Sequence, residues 1–215
     1  MEYISFSDLS MIGEGANGKV YKYNKPLPQS GLNAVVKVSN RLMPQKVLEN
    51  YAYLKQTGVI TLAFFEECRV DNQPAILMED LFTDKMVYVS PNSVRNRYFS
   101  NQPEKYLLSN KLNDIVNIDS LLIQLRDLVN CTDGKGIGLD MDMISFGVEK
   151  DNKDSDVSYK LVDIEGMLYD SACCFALHEC NTLGAKEALS IFVEFFIDTA
   201  LAKQRLLQKI DSYKW

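Results

Sequence analysis

The first third of the chain alternates apolar and polar residues, as half-buried strands do. Residues 19–23 (KVYKY) and residues 33–38 (NAVVKV) both follow this pattern. The segment between them contains Pro26, Pro28 and Gly31, which are typical turn residues. The pattern predicts an antiparallel β-hairpin.

A helical pattern follows this hairpin. Pro44 can occupy the first turn of a helix, and apolar residues then recur at helical spacing until Gly58, which predicts the end of the helix. The predicted apolar face consists of Val47, Leu48, Tyr51 and Leu54. Two further strands are predicted over residues 62–70 and 75–78, with the turn sequence DNQP between them.

The second half of the chain carries mainly helical patterns. One apolar stripe begins near Asp119, and another runs over residues 186–209. We expect each stripe to form one core helix. Residues 84–112 are polar and predict a loop with a short helix. The stripe residues are Leu121, Leu122, Leu125 and Leu128 in the first helix, and Leu189, Phe192, Phe195, Phe196 and Ala200 in the second.

The composition argues against several classes of protein. The 215 residues are 47% hydrophobic and 24% charged, which is enough for a substantial core. A net charge of -6 argues against the broad basic surface of a nucleic-acid-binding protein. The longest apolar stretches, residues 62–65 and 172–177, are far shorter than the roughly 20 residues that span a bilayer. We expect a soluble protein that binds no nucleic acid and has no membrane span.

Histidine and cysteine show no metal-site spacing. His178 is the only histidine, and no two cysteines form a CxxC pair. An odd number of cysteines without a leader segment predicts a reducing compartment, with the thiols buried. The cysteines are Cys68, Cys131, Cys173, Cys174 and Cys180.

A glycine motif precedes the first predicted hairpin strand. Residues 12–20 (IGEGANGKV) contain GxGxxG, formed by Gly13, Gly15 and Gly18, with Val20 two positions further on. In dinucleotide-binding folds this motif opens a helix, whereas here it leads into a predicted strand. The context favours a loop that covers nucleotide phosphates in the manner of protein kinases. An ordinary glycine-rich hairpin is the alternative.

A strand lysine and a helix glutamate follow at suitable spacing. Residues 34–37 (AVVK) match the VAIK pattern, in which the lysine neutralises the α- and β-phosphates. Lys37 lies 19 residues after Gly18, and a predicted strand separates them. Glu49, on the next helix, is the candidate ion-pair partner of Lys37. Because Glu49 points away from the apolar helix face, a solvated glutamate is the alternative.

Residues 76–81 (ILMEDL) form an apolar strand that becomes acidic at its end. The segment resembles the hinge that joins the two lobes of kinases. By that resemblance Met78 lies at the back of the adenine pocket, and the main chain from Glu79 to Leu81 bonds the base.

Residues 136–148 (GIGLDMDMISFGV) follow the helix near Asp119 and resemble the approach to a kinase catalytic loop. The segment departs from the HRDxxxxN pattern. Gly138 replaces the histidine, and Ser145 stands at the metal-binding asparagine if Asp140 is the catalytic base. Asp142, two positions further on, is the alternative base.

The last motif is residues 159–166 (YKLVDIEG), an apolar strand that ends in an aspartate. It resembles the DFG motif, and more closely its D-[FI]-E variant. Asp163 supplies the oxygen ligand that Mg²⁺ requires, and Glu165 is a second candidate. An aspartate that merely caps the strand end is the alternative.

Taken in order over residues 10–166, these motifs resemble the protein-kinase-like fold. The resemblance implies a single α+β domain over residues 1–215, with a small antiparallel β lobe plus one helix (1–80) and a reduced, mainly helical lobe (81–215). Only 49 residues follow Gly166. The chain is in this respect similar to the minimal effector kinases that bacterial pathogens inject into host cells, among them the family that phosphorylates a eukaryotic heat-shock chaperone.

The resemblance implies ATP- and Mg²⁺-dependent transfer of a phosphoryl group to a protein, with serine or threonine favoured on family frequency alone. Asp140 would orient the acceptor hydroxyl, Lys37 and the glycine loop would hold ATP, and Asp163 would bind the metal. The acceptor would be a host protein, reached through a specialised bacterial secretion system.

Two other functions compete with this interpretation. The missing histidine and asparagine favour a pseudokinase that binds nucleotide or a partner without transfer. The Asp163-Ile164-Glu165 sequence favours a small-molecule kinase of the aminoglycoside or choline type. The short tail of mixed charge after Lys186 argues against the latter, because those enzymes hold cationic substrates in a large acidic helical region.

Overall fold

The computed structural model describes residues 2–15, 18–25, 27, 33–39, 45–91, 94, 102–162 and 176–215. The described chain divides into two compact units. The first comprises Met1–Leu48 with Leu62–Leu81, and the second comprises Glu49–Thr61 with Phe82–Trp215.

A six-stranded sheet forms the first unit. Its strands are β1 (Glu2–Ile4), β2 (Leu9–Gly15), β3 (Gly18–Tyr23), β4 (Ala34–Val38), β5 (Phe65–Val70) and β6 (Gln73–Glu79). They pair in the order β1-β5-β6-β4-β3-β2, with β1 parallel to β5 and the other neighbours antiparallel. The predicted hairpin over residues 19–23 and 33–38 is confirmed, whereas β1 was not predicted.

The turn between β5 and β6 shows how the sequence fixes the sheet. Asp71 and Asn72 both have positive φ angles, of 42° and 72°, which Asp and Asn tolerate better than other side chains. The carboxylate of Asp71 also accepts a hydrogen bond from Phe6 N at 3.1 Å, and its amide donates to Ile4 O. The same turn therefore closes one hairpin and holds β1 at the sheet edge.

One face of this sheet carries the core of the first unit. Alternate residues of β4 are buried there, and they pack with the corresponding residues of β5 and β6. The alternation that predicted the strands thus also predicted the buried face. The buried cluster consists of Ile4, Ala34, Val36, Val38, Cys68, Val70, Ala75 and Leu77.

Helix α1 spans Gln45–Gln56, as the helical pattern predicted, and Pro44 lies outside the described residues. Gly58 follows the helix with a φ of +80°, and its amide bonds to Lys55 O. A left-handed glycine directly after the last turn is a common helix terminator, so the predicted end is confirmed.

The second unit is mainly helical. Its elements are β7 (Met86–Val89), α2 (Gln102–Ser109), β8 (Asp114–Ile115), α3 (Ile118–Lys135), β9 (Ile144–Glu149), β10 (Asp154–Ser155), β11 (Ser158–Leu161), α4 (Leu177–Phe196) and α5 (Ala200–Ser212). Strand β9 pairs antiparallel with β7 and β11, and β8 pairs parallel with β10. None of the helices described here is long and apolar enough to cross a bilayer.

Two predictions of secondary structure in this unit were wrong. Residues 84–112 do contain the expected short helix, α2, but they also contain the strand β7. Residues 186–209 form two helices instead of one, because Ile197 leaves the helix and bridges to Leu112. Thr199 then starts α5, since its hydroxyl accepts a hydrogen bond from Ala202 N at 3.3 Å.

Candidate active site

The glycine motif lies at the closed end of the β2–β3 hairpin. Gly15 pairs with Gly18, Glu14 with Lys19, and Gly13 with Val20. The prediction that the glycines occupy the bend of a hairpin is therefore confirmed, although Ala16 and Asn17 at its tip lie outside the described residues.

Gly13 and Gly18 differ in whether the sheet requires a glycine at their position. Gly18 has a φ of +147°, and a Cβ atom there would lie 2.2 Å from Val38 O, so the sheet itself requires glycine at this position. A Cβ atom at Gly13 would meet nothing within 4 Å. Sheet packing therefore does not require glycine at position 13. The space above Gly13 is open, so a ligand could approach its main chain closely.

Lys37 lies on the face of the sheet opposite the buried cluster. It follows Val36 and precedes Val38, both of which point into that cluster. In register, Lys37 lies between Val20 on β3 and Ile76 on β6. Directly paired residues of antiparallel strands share a face, so a valine of the glycine hairpin and the strand lysine lie side by side.

The next row of this face brings Val35 opposite Met78. Val35 is half-buried, and Met78 is half-buried near the end of β6. The predicted pocket residues Val20, Lys37 and Met78 therefore share one sheet face.

The predicted hinge, residues 79–81, lies at the end of β6 and directly after Met78. Asp80 is 9% exposed, and its amide donates to Asn33 O at 3.1 Å. The carboxylate of Glu79 accepts a hydrogen bond from Ala63 N at 2.7 Å. Because sheet pairing engages the Asp80 amide, the proposed base contacts are the main chains of Glu79 and Leu81.

Glu49 occupies an exposed position on α1. The helix buries Val47 and Tyr51, so Glu49 lies away from the apolar face, as its position on the helix predicted. Its pairing with Lys37 stays a prediction.

Asp140 lies where an extended segment enters a short 3₁₀ turn, Met141–Met143. Its side chain caps this turn by accepting a hydrogen bond from Asp142 N at 3.5 Å, and its carbonyl oxygen bonds to Met143 N. Asp140 and Asp142 are both half-buried, and the Oδ1 atom of Asp142 is shielded from solvent. At least one carboxylate oxygen of Asp142 is therefore closed to a substrate in this conformation.

A buried asparagine of α4 holds the segment before Asp140. Asn181 has no solvent exposure, and its side-chain oxygen accepts a hydrogen bond from Leu139 N at 2.6 Å. Its side-chain nitrogen lies 3.0 Å from Ile137 O and 2.6 Å from an oxygen of Asp133. Sequence reasoning missed Asn181. The sequence carries no signal that sets Asn181 apart from the other polar residues of α4.

Close packing supports the same segment one helical turn further along α4. A Cβ atom at Gly184 would lie 2.7 Å from Leu139 O. Asn181 and Gly184 are neighbours on one helix face, so this face of α4 is shaped to fit the Leu139 main chain.

Strands β9 and β11 bring the next motif to the Asp140 turn. Val162 N bonds to Met143 O at 2.8 Å, so the residue before Asp163 is attached to the turn that Asp140 caps. Asp163 and Glu165 lie outside the described residues. Ser145 lies within β9, 5% exposed and opposite Lys160.

Burial raises the pKa of the Tyr159 phenol above its usual value, because the charged form would lose its hydration. β11 therefore presents a neutral side chain two residues before it ends. Among the described residues, no three His, Cys, Asp or Glu side chains converge in a way that would hold a metal ion.

No protein-family model matches the chain, and no curated protein is significantly similar in sequence. Solved structures of protein kinases do resemble it. The Helicobacter pylori proinflammatory kinase CtkA aligns over 97% of this chain and 93% of its own, with a TM-score of 0.50 and 13% identity. The Mycobacterium tuberculosis PknI kinase domain aligns over 88% of this chain and 74% of its own, with a TM-score of 0.43 and 13% identity.

The structural similarity to CtkA establishes the fold, and a sequence identity this low leaves the activity open. The chain has a protein-kinase-like α+β fold, as the order of its motifs predicted.

Proposed function

We propose that this protein is an ATP- and Mg²⁺-dependent protein kinase that transfers the γ-phosphoryl group to serine or threonine of a partner protein. The observation that carries the proposal is the pairing of Lys37 with Val20 on the sheet face turned away from the buried cluster. A strand lysine beside the valine of a glycine hairpin is the arrangement that kinases use to hold nucleotide phosphates.

The residues of the first unit fit a nucleotide. The open surface over Gly13 leaves room for phosphate oxygens to approach main-chain amides. Val20, Val35 and Met78 supply apolar surface for a base, and Lys37 supplies the positive charge. The main chains of Glu79 and Leu81 would hydrogen-bond the edge of the base.

The metal site depends on residues beyond those described. Asp163 is the proposed Mg²⁺ ligand, with Ser145 as the second, and the described residues alone form no metal cluster. A divalent cation in kinases neutralises charge on the β- and γ-phosphates. The Val162 amide that bonds to Met143 O would hold the Asp163 segment next to the Asp140 turn.

Asp140 would accept a hydrogen bond from the acceptor hydroxyl and orient it for attack. Such a role needs a fixed main chain, because a displacement of about 1 Å can cost much of the rate. The bonds from Asn181 to Leu139 N and Ile137 O would supply this rigidity.

The biological setting follows from the sequence resemblance. We propose that the protein is a bacterial effector that acts on a host protein, with a host heat-shock chaperone as the first acceptor to test.

A second candidate function is a pseudokinase that binds nucleotide without transferring phosphate. Two observations favour it. Ser145, at the expected metal-binding asparagine, is buried within β9, and Gly138 offers no side chain at the expected histidine. Both changes weaken the catalytic loop while leaving the Lys37 face intact.

The test is incubation of the purified protein with γ-labelled ATP and Mg²⁺ in bacterial and eukaryotic lysates, with Asp163→Ala as the control variant. We expect a labelled protein band that is absent with the variant. ATP binding without any label would support the pseudokinase, and label on small molecules alone would support the small-molecule kinase. Failure to bind ATP would contradict all three functions.

A further inference from the structure

A surface groove of about 490 Å³ lies within the second unit. Its walls come from the chain between β9 and β11, from the residues just before α3, and from one side chain of α3 itself. Ile60, Met86 and Val116 contribute apolar surface. The carboxylates come from Glu149, Asp154 and Asp156. The groove therefore combines an apolar floor with an acidic rim.

The lysines of the same loop do not neutralise this rim. The Nζ atom of Lys150 lies 4.2 Å from the ring centroid of Phe82, in a cation–π contact. The Nζ atom of Lys153 donates to Lys111 O at 3.0 Å. Neither lysine lines the groove, and no basic residue does so in the part of the chain that the structure describes.

Apolar surface is left open to solvent in the groove. Val116 is 64% exposed, although Ile115 beside it is buried. The amide of Val116 donates to Ser155 O at 3.2 Å, which fixes the backbone and keeps the side chain outward. An exposed aliphatic side chain in a concave site is surface that a partner can bury.

The groove is rigid before any partner arrives. The Asn117 side chain accepts a hydrogen bond from Val157 N and donates another to Val157 O, both at 2.9 Å. The Ser155 hydroxyl donates to Asp156 O at 3.0 Å. A preformed site loses little conformational entropy on binding, so even a short segment can bind specifically.

We propose that this groove docks a segment of the protein substrate in which arginine or lysine stands beside an apolar side chain. The inference rests on the proposed function, since it takes the bound partner to be the acceptor protein. The cationic side chain would meet the Glu149, Asp154 and Asp156 rim, while its apolar neighbour covers Val116.

The groove lies away from the Asp140 turn. Strand β9 begins at Ile144, close to Asp140, and ends at Glu149 on the groove, a rise of about 17 Å at the spacing of an extended chain. The docking segment would therefore be separate in sequence from the phosphorylated residue. It would raise the local concentration of the acceptor without touching the chemistry.

The test measures binding of a fluorescein-labelled peptide with paired arginines flanked by leucines, by fluorescence polarisation without nucleotide. The groove variant is the triple substitution E149Q, D154N and D156N, and a second variant is V116S. A charge-matched control neutralises acidic residues that do not line the groove, namely D84N, E194Q and D198N.

We expect the triple variant to weaken binding about tenfold, because three exposed ion pairs are lost. V116S should weaken it about fivefold through lost apolar burial, and the charge control should match the native protein. Binding should also fall as salt is raised. Peptides with glutamate in place of arginine, or serine in place of leucine, should bind weakly or not at all.

A photoreactive group at the leucine position gives a readout that does not depend on the variants. Cross-links to residues 116–124 or 149–158 support the proposal, and cross-links elsewhere overturn it. Equal affinity for the native protein and the triple variant, or no binding of the arginine–leucine peptide, also overturns it.

Because no ATP is used, groove-dependent binding by a protein that transfers no phosphate would count against the proposed function and not against docking. Phosphate transfer with an acceptor KM that the triple variant leaves unchanged would overturn docking and leave the proposed function standing.

Discussion

The side-chain oxygen of Asn181 accepts a hydrogen bond from the main-chain amide of Leu139 at 2.6 Å, across 42 positions of sequence. The next residue after Leu139 is the candidate catalytic Asp140. The fully buried side chain of Asn181 in α4 thus supplies hydrogen-bond partners to main-chain groups of the loop that precedes Asp140.

Asn181→Ala should lower the free energy of unfolding by about 3 kcal/mol, because it leaves buried polar groups of the loop without their partner. Asn181→Asp keeps the acceptor for Leu139 N, but it cannot donate to Ile137 O and places a second carboxylate beside Asp133. We expect it to destabilise the protein as well. Urea unfolding followed by circular dichroism measures both effects.

Asn130→Ala is the matched control, since Asn130 is exposed on α3. Its effect should stay within about 0.5 kcal/mol. Equal stabilities of the Asn181 and Asn130 variants would contradict the structural role of Asn181.

The glycine hairpin allows stability and nucleotide binding to be separated. Gly18→Ala should destabilise the protein by about 3 kcal/mol or more, because its Cβ would lie 2.2 Å from Val38 O at a φ of +147°. In Gly13→Val the new Cβ would meet nothing within 4 Å, and valine is favoured in strands. The melting temperature of this variant should therefore stay close to that of the native protein.

Gly13→Val should nevertheless weaken ATP binding, since its branched side chain would block approach to the main chain. Isothermal titration calorimetry with ATP measures this effect. Unchanged ATP affinity in a folded Gly13→Val variant would favour the ordinary hairpin over the phosphate loop.

Much of the first unit could be predicted because its signals are local. Alternation over residues 33–38 gave β4, its buried face and the outward position of Lys37, and the pairing of β3 with β4 then brought Val20 beside that lysine. Gly58 marked the end of α1 through its own backbone preference. In each case the residues that decide the structure lie close together in sequence.

The missed features depend on distant partners. Residues 186–209 keep a helical apolar stripe throughout, and the break at Ile197 reflects its bridge to Leu112. In sequence, Asn181 is one of several polar residues in α4, and its role becomes visible only when Leu139 packs against it. No local pattern carries such information, because hydrogen bonds across the fold leave no periodicity in the sequence.

Lys37→Met tests whether the sheet face opposite the buried cluster binds phosphate. We expect the variant to fold normally and to bind ATP about tenfold more weakly or worse, because a charge-assisted hydrogen bond is lost. Lys19→Met is the matched control. Lys19 pairs with Val38 and so lies on the other face, near Glu14. If the two variants bind ATP equally well, Lys37 does not contact the nucleotide.

The last prediction separates the two candidate bases. Asp140→Asn keeps an oxygen that can cap the Met141–Met143 turn, but it cannot accept the proton of the acceptor hydroxyl. We therefore expect kcat to fall about a hundredfold or more with little change in ATP affinity. Asp142→Asn should reduce kcat much less, because one carboxylate oxygen of Asp142 is shielded from solvent and is poorly placed to meet a substrate.

Single-turnover transfer of labelled phosphate, together with ATP binding, distinguishes these effects. A large loss of phosphate transfer in Asp142→Asn, with nearly normal transfer in Asp140→Asn, would identify Asp142 as the base instead of Asp140. Asp140 would then act only as the cap of the 3₁₀ turn, and the shielded Oδ1 atom of Asp142 would have to become accessible when the acceptor binds. Equal and nearly native transfer by both variants would mean that neither aspartate orients the hydroxyl, and the base would then have to lie outside this turn.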